Sequence, residues 1–466
     1  MTLAERNYEY KYCRAATPHT RGGGRGDNLR VRLLLKALAC ASALSLLSLA
    51  ACSDGNNAGP TITIGVDLPL SGDEGEAGTP ALNGIRFFVK QHPVLDGFTV
   101  EVSARDDAVK GVHDPKVGAQ NVAALIADPH VMGIIGPLNA SVARAAIPLA
   151  NQAGLAMISP STGNRCLTKD PLLPAQLNPT RVAIGCAAAG LLLPSDLRPA
   201  KTNNFFRLAT TDDLQGAAAA DFAYTNLHLL RVGVLSDHET YGQALAASFR
   251  ARFTRLGGLV VLYQDFTPSA SLDLSAFMTK AKADGAQGIY FGGVTANNGC
   301  AIRAQMAAAF APGAATPYLG GDGISEDPAC VRAAGTNAAG IYATVPVIDP
   351  DQVATAQPVI SAFKAEYRNA WNYGAYTMLA YDATGVLYDA LDRAIKAAGG
   401  KLPARQDVVA QLAATSAFPG VTGPFGFDAN GDTTHRVVSV FEATSSDPAT
   451  PWTWAGAVDY TAKLPY

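Results

Sequence analysis

From residue 61 onward, short apolar runs alternate with longer, alanine-rich amphipathic stretches, and no other feature of the sequence constrains the fold as strongly. The first apolar run covers residues 61–66, and residues 80–92 place their apolar side chains on one helical face. Strands that alternate with helices in this way pair in parallel, because each helix carries the chain back to the start of the next strand. The pattern therefore predicts an α/β fold with mostly parallel sheets flanked by helices.

The length favours two lobes, since 466 residues exceed what one hydrophobic core usually organises. One series of strands and helices ends near residue 159, a second begins at Arg231, and two more helices and a last strand follow. We expect the chain to cross between the lobes at a hinge three times, near residues 207, 344 and 422. The predicted domains are lobe 1, residues 61–207 plus 345–422, and lobe 2, residues 208–344 plus 423–466.

An apolar segment at residues 37–51 follows a basic stretch and has the length of a signal-peptide core. It ends in Leu49-Ala50-Ala51-Cys52, which resembles the bacterial lipobox, whose cysteine thiol receives a diacylglycerol. We therefore expect residues 1–52 to be a leader with a lipoprotein signal peptide, Cys52 to be lipidated, and residues 53–60 to be a flexible tether. An uncleaved N-terminal anchor is the alternative, but it would need a longer apolar run.

Four cysteines remain beyond the leader, and the oxidising environment outside the cytoplasm would allow them to form disulfide bonds. They are Cys166, Cys186, Cys300 and Cys330. Three pairings are possible, and we favour Cys166–Cys186 and Cys300–Cys330 because each pair closes a short loop. Buried free thiols are the alternative. Residues 164–204, which carry the first pair and many prolines, are expected to be an insertion.

Charge and motif content argue against several classes of function. From residue 53 onward, 28 Lys and Arg face 36 Asp and Glu without a basic stripe, so nucleic acid is not an expected partner. The sequence contains no Gly-x-Ser-x-Gly elbow and no phosphate-binding Gly-x-x-x-x-Gly-Lys, and its histidines are scattered singly. We expect Asp106-Asp107 and Asp212-Asp213 at solvated loop ends, since adjacent acids on a strand alternate faces. We predict no enzyme activity, no cofactor and no metal.

A series of short motifs, in order along residues 61–444, resembles the branched-chain amino acid (leucine/isoleucine/valine) binding protein family. These proteins are type I periplasmic solute-binding proteins of ABC transporters. The resemblance implies two lobes with a ligand cleft between them. The motifs are Ile64-Gly65-Val66-Asp67-Leu68-Pro69-Leu70-Ser71-Gly72, Gly136-Pro137-Leu138-Asn139, Ile158-Ser159-Pro160-Ser161, Tyr241-Gly242, Gly320-Gly321-Asp322-Gly323 and Gly423-Pro424-Phe425-Gly426-Phe427-Asp428-Ala429-Asn430-Gly431-Asp432.

The resemblance implies two segments that hold the ligand carboxylate. The first contains Asn139 and Ser141, and it departs from the family because Ala140 stands at the usual serine position. Ser141 either supplies the missing hydroxyl or is the N-cap of the next helix. The second is Ser161-Thr162-Gly163, in which the glycine would let a ligand approach the backbone. Ordinary turn chemistry is the alternative for these three residues.

The resemblance also implies two ligand contacts from lobe 2. Tyr241 would face the ligand, although a tyrosine packed under the start of a helix is the alternative. Asp322 would accept from the α-ammonium group, although an acid in a glycine-rich turn is often only a turn residue. The family's commoner residue at that place is glutamate, which reaches further. Residues 76–78 replace a tyrosine that often stacks on the ligand, which predicts a roomier or more polar pocket.

The resemblance implies a lipid-anchored, extracytoplasmic substrate-binding protein that delivers an amino acid or similar small polar ligand to an ABC transporter permease. It would face the periplasm or the cell exterior and meet the membrane through its lipid alone. A ligand-sensing receptor component that binds an amide or an aromatic acid is the alternative. In the importer mechanism, lobe 1 grips the ligand through Ser161 and Thr162, and Tyr241 and Asp322 complete the site as the lobes close.

Overall fold

The structure is a computed structural model that describes residues 60–310, 316–369, 372–450 and 452–465. The leader, nearly all of the tether and the lipidation predicted at Cys52 lie outside these residues. Over the described ranges, none of the helices combines the length and the apolar character that a bilayer crossing requires.

Strands and helices alternate along the chain as the apolar pattern predicts. The strands are β1 (Thr61–Leu68), β2 (Val94–Leu95), β3 (Phe98–Asp106), β4 (Ala108–Val109), β5 (Val112–His113), β6 (Val131–Ile135), β7 (Met157–Ser159), β8 (Phe205–Arg207), β9 (Arg231–Ser236), β10 (Leu259–Asp265), β11 (Gly288–Gly292), β12 (Tyr318–Gly320), β13 (Ile341–Val345), β14 (Phe418–Gly420), β15 (Gly423–Phe425), β16 (Val437–Ala443) and β17 (Thr453–Asp459). The α-helices are α1 (Gly75–Gln91), α2 (Pro115–Ala127), α3 (Ala140–Gln152), α4 (Asp212–Thr225), α5 (Thr240–Arg255), α6 (Ser275–Ala283), α7 (Ala301–Ala309), α8 (Pro328–Ala334), α9 (Gln357–Glu366), α10 (Thr377–Ala397) and α11 (Arg405–Ala413).

The strands form one large sheet in each lobe. The order is β2-β3-β1-β6-β7-β8 in lobe 1 and β10-β9-β11-β12-β13-β16-β17 in lobe 2. Pairing is parallel except for β2 in lobe 1 and for β16 and β17 at one side of lobe 2. Because helices cover both faces, β1 and β11 are almost continuously apolar and buried. This arrangement confirms the predicted α/β class.

Each lobe has its own apolar core. In lobe 1, Ile64 on β1 and Leu387 on α10 are fully buried in one cluster. In lobe 2, Phe291 on β11 stacks against Tyr318 on β12, and both rings are fully buried. Burial of one such side chain stabilises the folded state by about 1.5–3 kcal/mol. Because each lobe has its own core, each lobe can stay intact while the hinge between them moves.

The chain passes between the lobes at residues 208–211, 346–349 and 428–436. The third passage comes later than the sequence predicts, since residues from 423 onward were expected in lobe 2. Instead, β15 pairs with β14, and Phe425 and Phe427 pack in the lobe 1 core. The physical reason is that these aromatic side chains complete the apolar cover of lobe 1 before the chain leaves it.

Two disulfide bonds join the cysteines that follow the leader. Cys166 is bonded to Cys186, and Cys300 is bonded to Cys330. The first bond lies in segment 160–204, which connects β7 to β8 mainly through loops and short turns. The disulfide therefore constrains the segment that comes directly after the loop following β7.

Three of the four acids in the two adjacent pairs are buried, and for these three the expectation of a solvated loop end was wrong. Asp107, Asp212 and Asp213 expose 1% of their surface or less. Asp107 follows β3, where its backbone N–H donates to the carbonyl of Leu68 at 3.0 Å and draws the turn inward. Asp212 starts α4 next to the first passage between the lobes, so the neighbouring chain segments cover it.

Candidate functional site

A cleft lies where the carboxyl ends of the central strands of both sheets meet. Parallel strands place their following loops at one edge of a sheet, so the loops after β1, β6 and β7 face those after β9, β11 and β12. Residues 374–376, just before α10, also line the cleft. The seven residues that the resemblance singled out all line it, namely Asn139, Ser141, Ser161, Thr162, Gly163, Tyr241 and Asp322.

Two buried hydroxyls face the cleft from lobe 1 without a hydrogen-bond partner among the described residues. They belong to Ser141 and Thr162, which are 5% and 2% exposed. The N-cap alternative for Ser141 was wrong, because Asn139 occupies that position of α3 and its side chain makes no capping bond. The first-turn N–H groups of a helix have no intrahelical acceptor and favour an anion. Ser141, Thr162 and this helix end together form a site suited to a carboxylate.

Ser161 has a different role from its neighbour Thr162. Its hydroxyl donates to the carbonyl of Leu138 at 2.7 Å, and the Ser159 hydroxyl donates to the carbonyl of Pro137 at 2.7 Å. Ser159 Oγ also accepts from the Thr162 N–H at 2.9 Å. The two serines thus fix the loop after β7 against the loop after β6. Ser161 lines the cleft, but its proton is committed to the backbone.

Gly163 lines the cleft, and its backbone is also held close to Asp212. Its carbonyl accepts from the Asp212 N–H at 2.8 Å. A Cβ at position 163 would stand only 1.9 Å from Asp212 Oδ1. This close approach explains why position 163 is glycine, and the sequence alone could not reveal it.

Arg207 anchors the ligand-facing loop from behind. Its fully buried guanidinium donates to the carbonyls of Thr162 and Asn164 at 3.0 and 2.8 Å. Its Nε donates to Asp432 Oδ1 at 2.7 Å. Burial alone would raise the pKa of Asp432, but Arg207 and Lys169 hold that pKa well below its ordinary value. Arg207 therefore ties the loop after β7 to the third passage between the lobes.

Asp322 lies at the centre of the lobe 2 side. Its Oδ1 accepts from the Tyr241 hydroxyl and from Gln215 Nε2, each at 2.7 Å. Its Oδ2 accepts from the Tyr376 hydroxyl. Burial raises the pKa of Asp322, and the three donors oppose that shift without cancelling it. Each carboxylate oxygen has two lone pairs, so Oδ2 can still accept from a ligand N–H.

The contact between Tyr376 and Asp322 crosses the cleft. Tyr376 packs in the core of lobe 1, whereas Asp322 follows β12 of lobe 2. A second contact crosses nearby, where Asn164 Nδ2 donates to the carbonyl of Thr240 at 2.9 Å. These two bonds join the lobes across the cleft.

Sequence reasoning missed Arg207, Gln215 and Tyr376. Gln215 sits among the alanines of α4, and a lone buried amide on an otherwise apolar helix is a signal that could have found it. Arg207 ends an apolar strand, where a buried cation needs a partner. Tyr376 carries no comparable signal, because its role depends on a residue 54 positions away.

Carboxylates crowd the rest of the cleft wall. Glu74 Oε1 contacts His113 Nδ1 at 2.8 Å, and Glu76 pairs with Arg332 of lobe 2. Burial would lower the pKa of His113, but the contact with Glu74 outweighs it and raises that pKa. The cleft is thus polar at Glu76.

A family model described as periplasmic binding protein matches residues 61–448 of this chain. The chain belongs to the periplasmic binding protein family. Membership confirms the resemblance that the motifs indicate, and it agrees with two parallel-dominated sheets around one cleft. Family members of this kind bind solutes outside the cytoplasm.

Individual relatives support the same assignment. A protein named Leu/Ile/Val-binding protein homolog 1, from Brucella abortus, is 27% identical over 382 residues, which cover 81% of this chain and 89% of that protein. A leucine binding protein from Thermotoga maritima has a similar fold, with a TM-score of 0.69 and 24% identity over 86% of this chain and 99% of that one. A solute binding protein from R. palustris, solved with 4-hydroxybenzoate, has a TM-score of 0.65 and 18% identity over 86% of this chain and 97% of that one.

Proposed function

We propose that this protein is the extracytoplasmic substrate-binding component of an ABC importer and that it binds an α-amino acid between its lobes. The observation that carries the proposal is a pair of complementary groups on facing sides of the cleft. Lobe 1 presents the unpartnered hydroxyls of Ser141 and Thr162 at a helix N-terminus. Lobe 2 presents the carboxylate of Asp322. An α-amino acid carries the matching pair of charges on one carbon.

The carboxylate of such a ligand would accept from Ser141, Thr162 and the first-turn N–H groups of α3. Its ammonium group would donate to Asp322 Oδ2. Charge-assisted hydrogen bonds of this kind contribute about 1.5–3 kcal/mol each when water is excluded. The names of the relatives agree, since the Brucella abortus protein is named for leucine, isoleucine and valine.

Closure of the lobes would couple binding to transport. A ligand shifts the equilibrium toward the closed form only by its differential contacts, and here those contacts come from both lobes. The closed form would then be presented to the permease. Lipidation of Cys52 would keep the protein at the membrane surface, and this part of the proposal rests on the sequence alone.

A thermal-shift screen of the common α-amino acids tests the proposal, because a ligand that binds only the folded state raises Tm. The best amino acid is then compared with its α-hydroxy acid and its carboxamide. We expect both analogues to give smaller shifts, and we expect Asp322→Asn to remove the advantage over the hydroxy acid. A protein stabilised only by compounds without an ammonium group, such as 4-hydroxybenzoate, would contradict the proposal and favour the aromatic-acid alternative.

A further inference from the structure

The cleft wall is strongly acidic. Among the described residues that line it, His113 is the one side chain that can carry a positive charge, and no Lys or Arg is present. Eight carboxylate side chains stand against it: Asp73, Glu74, Glu76, Asp237, Glu239, Asp322, Glu326 and Asp327. Burial raises the pKa of Glu326 to about 8 and the pKa values of Asp237 and Asp327 to about 6, so a ligand cation beside these groups would favour their ionised forms.

Several of these acids already have partners that hold them in place. Glu74 contacts His113, Glu76 pairs with Arg332, and Asp237 Oδ2 accepts from Asn297 Nδ2 at 3.0 Å. Glu326 differs from them. In the part of the chain that the structure describes, its side chain makes no hydrogen bond and no ion pair, although it lines the cleft just beyond Asp322.

The acids of the two lobes also face one another across the cleft. Glu76 of lobe 1 contributes, after burial, to the raised pKa of Asp327 in lobe 2. Asp237 and Glu239 of lobe 2 likewise act on His113 of lobe 1. Closure therefore brings like charges together at low dielectric, where their repulsion is strongest. A cation between the lobes would turn this repulsion into attraction.

A buried hydroxyl supplies an independent observation at the same place. Ser325 lies between Asp322 and Glu326 in sequence, is 6% exposed and lines the cleft. Its Oγ has no hydrogen-bond partner among the described residues. A hydroxyl oxygen can accept from an N–H group, so Ser325 and Glu326 together offer two acceptors to one donor. Burial raises the pKa of Glu326 to about 8, and Asp349 and Asp351 add to the rise while Lys364 opposes it. A cationic donor beside Glu326 would therefore favour its ionised form.

We infer that the ligand is a cationic α-amino acid, whose side chain ends in an ammonium or guanidinium group held by Glu326 and Ser325. The inference rests on the proposed function, because Ser141 and Thr162 would hold the carboxylate and Asp322 the α-ammonium group. A bare metal ion fits less well, since the described His, Cys, Asp and Glu side chains form no group of three or more that could ligate one. A diamine fits less well because it brings no carboxylate to α3.

Isothermal titration calorimetry with lysine, arginine and norleucine tests the inference. Norleucine keeps the chain of lysine but lacks its terminal ammonium group. We expect lysine or arginine to bind at least about tenfold more tightly than norleucine, the ratio that one charge-assisted hydrogen bond supports. The preference should fall as salt is added, because its source is electrostatic.

Two variants assign the effect to the cleft. Glu326→Gln should reduce the ratio of lysine to norleucine affinity to near one, and Glu101→Gln should leave it unchanged. Glu101 is an exposed acid on β3 outside the cleft, so it controls for the loss of one charge. Equal Tm values without ligand would show that both variants are folded.

The possible failures can be told apart. Norleucine or leucine binding as tightly as lysine would overturn the cationic side chain and leave the proposed function standing. No binding of any α-amino acid would overturn the proposed function itself. An unchanged lysine preference in Glu326→Gln would overturn the role of Glu326.

Discussion

Arg207 and Asp432 form a fully buried ion pair that joins the first and third passages between the lobes. The Nε to Oδ1 distance is 2.7 Å, and the two residues are 225 positions apart. The backbone N–H of Arg207 also donates to the carbonyl of Gly431 at 3.0 Å. Because the same guanidinium holds the carbonyls of Thr162 and Asn164, this pair connects the hinge to the loop that faces the ligand.

Arg207→Lys should weaken both folding and ligand binding. A lysine keeps the charge but cannot donate in the fixed fork that reaches Thr162, Asn164 and Asp432 together. Loss of a partner from a buried pair costs about 3–5 kcal/mol, and we expect a loss toward the lower end because the charge remains. Urea denaturation and calorimetric titration measure the two effects. Asp428→Asn, at the partly exposed edge of this network, should change neither by much.

Tyr376→Phe should shift the ligand-free protein toward the open form, because it removes a hydroxyl that crosses the cleft to Asp322. Small-angle scattering should then give a larger radius of gyration without ligand and a return toward the closed value at saturation. Tyr373→Phe is the matched control, since its hydroxyl makes no contact with Asp322. A radius of gyration that stays the same with and without ligand in the unaltered protein would rule out hinge closure.

Thr162→Val and Ser161→Ala should separate binding from stability. Thr162→Val removes a hydroxyl without a partner among the described residues, so Kd should rise by roughly tenfold while the free energy of unfolding hardly changes. Ser161→Ala leaves the Leu138 carbonyl without its donor and should cost about 1 kcal/mol of stability with a smaller effect on Kd. The reverse pattern would mean that Ser161 is the ligand contact.

The free energy of unfolding should fall as pH rises from 5 to 8. Burial raises the pKa of Asp107 to about 9 and that of Asp67 to about 7, from an ordinary value of 3.8. The folded state therefore binds more protons than the unfolded chain in this range, and stability is lost as pH rises toward the folded pKa values. Each group contributes up to about 1.4 kcal/mol per pH unit.

Asp107→Asn should make that pH dependence shallower and stabilise the protein at pH 8. Both carboxylate oxygens of Asp107 are buried without partners among the described residues, so an uncharged amide replaces a group that is costly to ionise. Urea denaturation at several pH values measures the slope. Stability that increases with pH in the unaltered protein would contradict this account.

Cys52→Ala should release the protein into the soluble fraction of the cell. The expectation depends on the lipobox-like sequence Leu49-Ala50-Ala51-Cys52. Membrane fractionation with an antibody measures the distribution. A variant that stays with the membrane would favour an uncleaved N-terminal helix.

The sequence predicted the secondary-structure elements and the location of the cleft better than it predicted the roles of individual residues. Strand β1 covers the predicted apolar run 61–66 and continues to Leu68, and helix α1 covers nearly all of the predicted stretch 80–92 but begins at Gly75. The cleft residues were implied by the family resemblance, and in the structure they lie together because loops after parallel strands share one sheet edge. The role of Ser161 could not be predicted, since its hydroxyl donates to a carbonyl in another loop.

The buried charges were the hardest part to predict. A pair such as Asp212-Asp213 is usually solvated, and only the folded chain shows that α4 starts against the loop of Gly163. Arg207 is similar, because its partner lies near the far end of the sequence. Such interactions are set by tertiary contacts that no local window contains.

The long separation between Arg207 and Asp432 has a consequence for biosynthesis. Lobe 1 is assembled from segments of chain that lie on both sides of lobe 2, and the buried guanidinium of Arg207 pairs with an aspartate that is synthesised 225 residues later. Contacts between residues so far apart in sequence form slowly, because the intervening loop must close first. The N-terminal part of lobe 1 therefore cannot finish folding on its own, and neither the hinge nor the ligand loop takes its final form until the chain has been synthesised as far as Asp432.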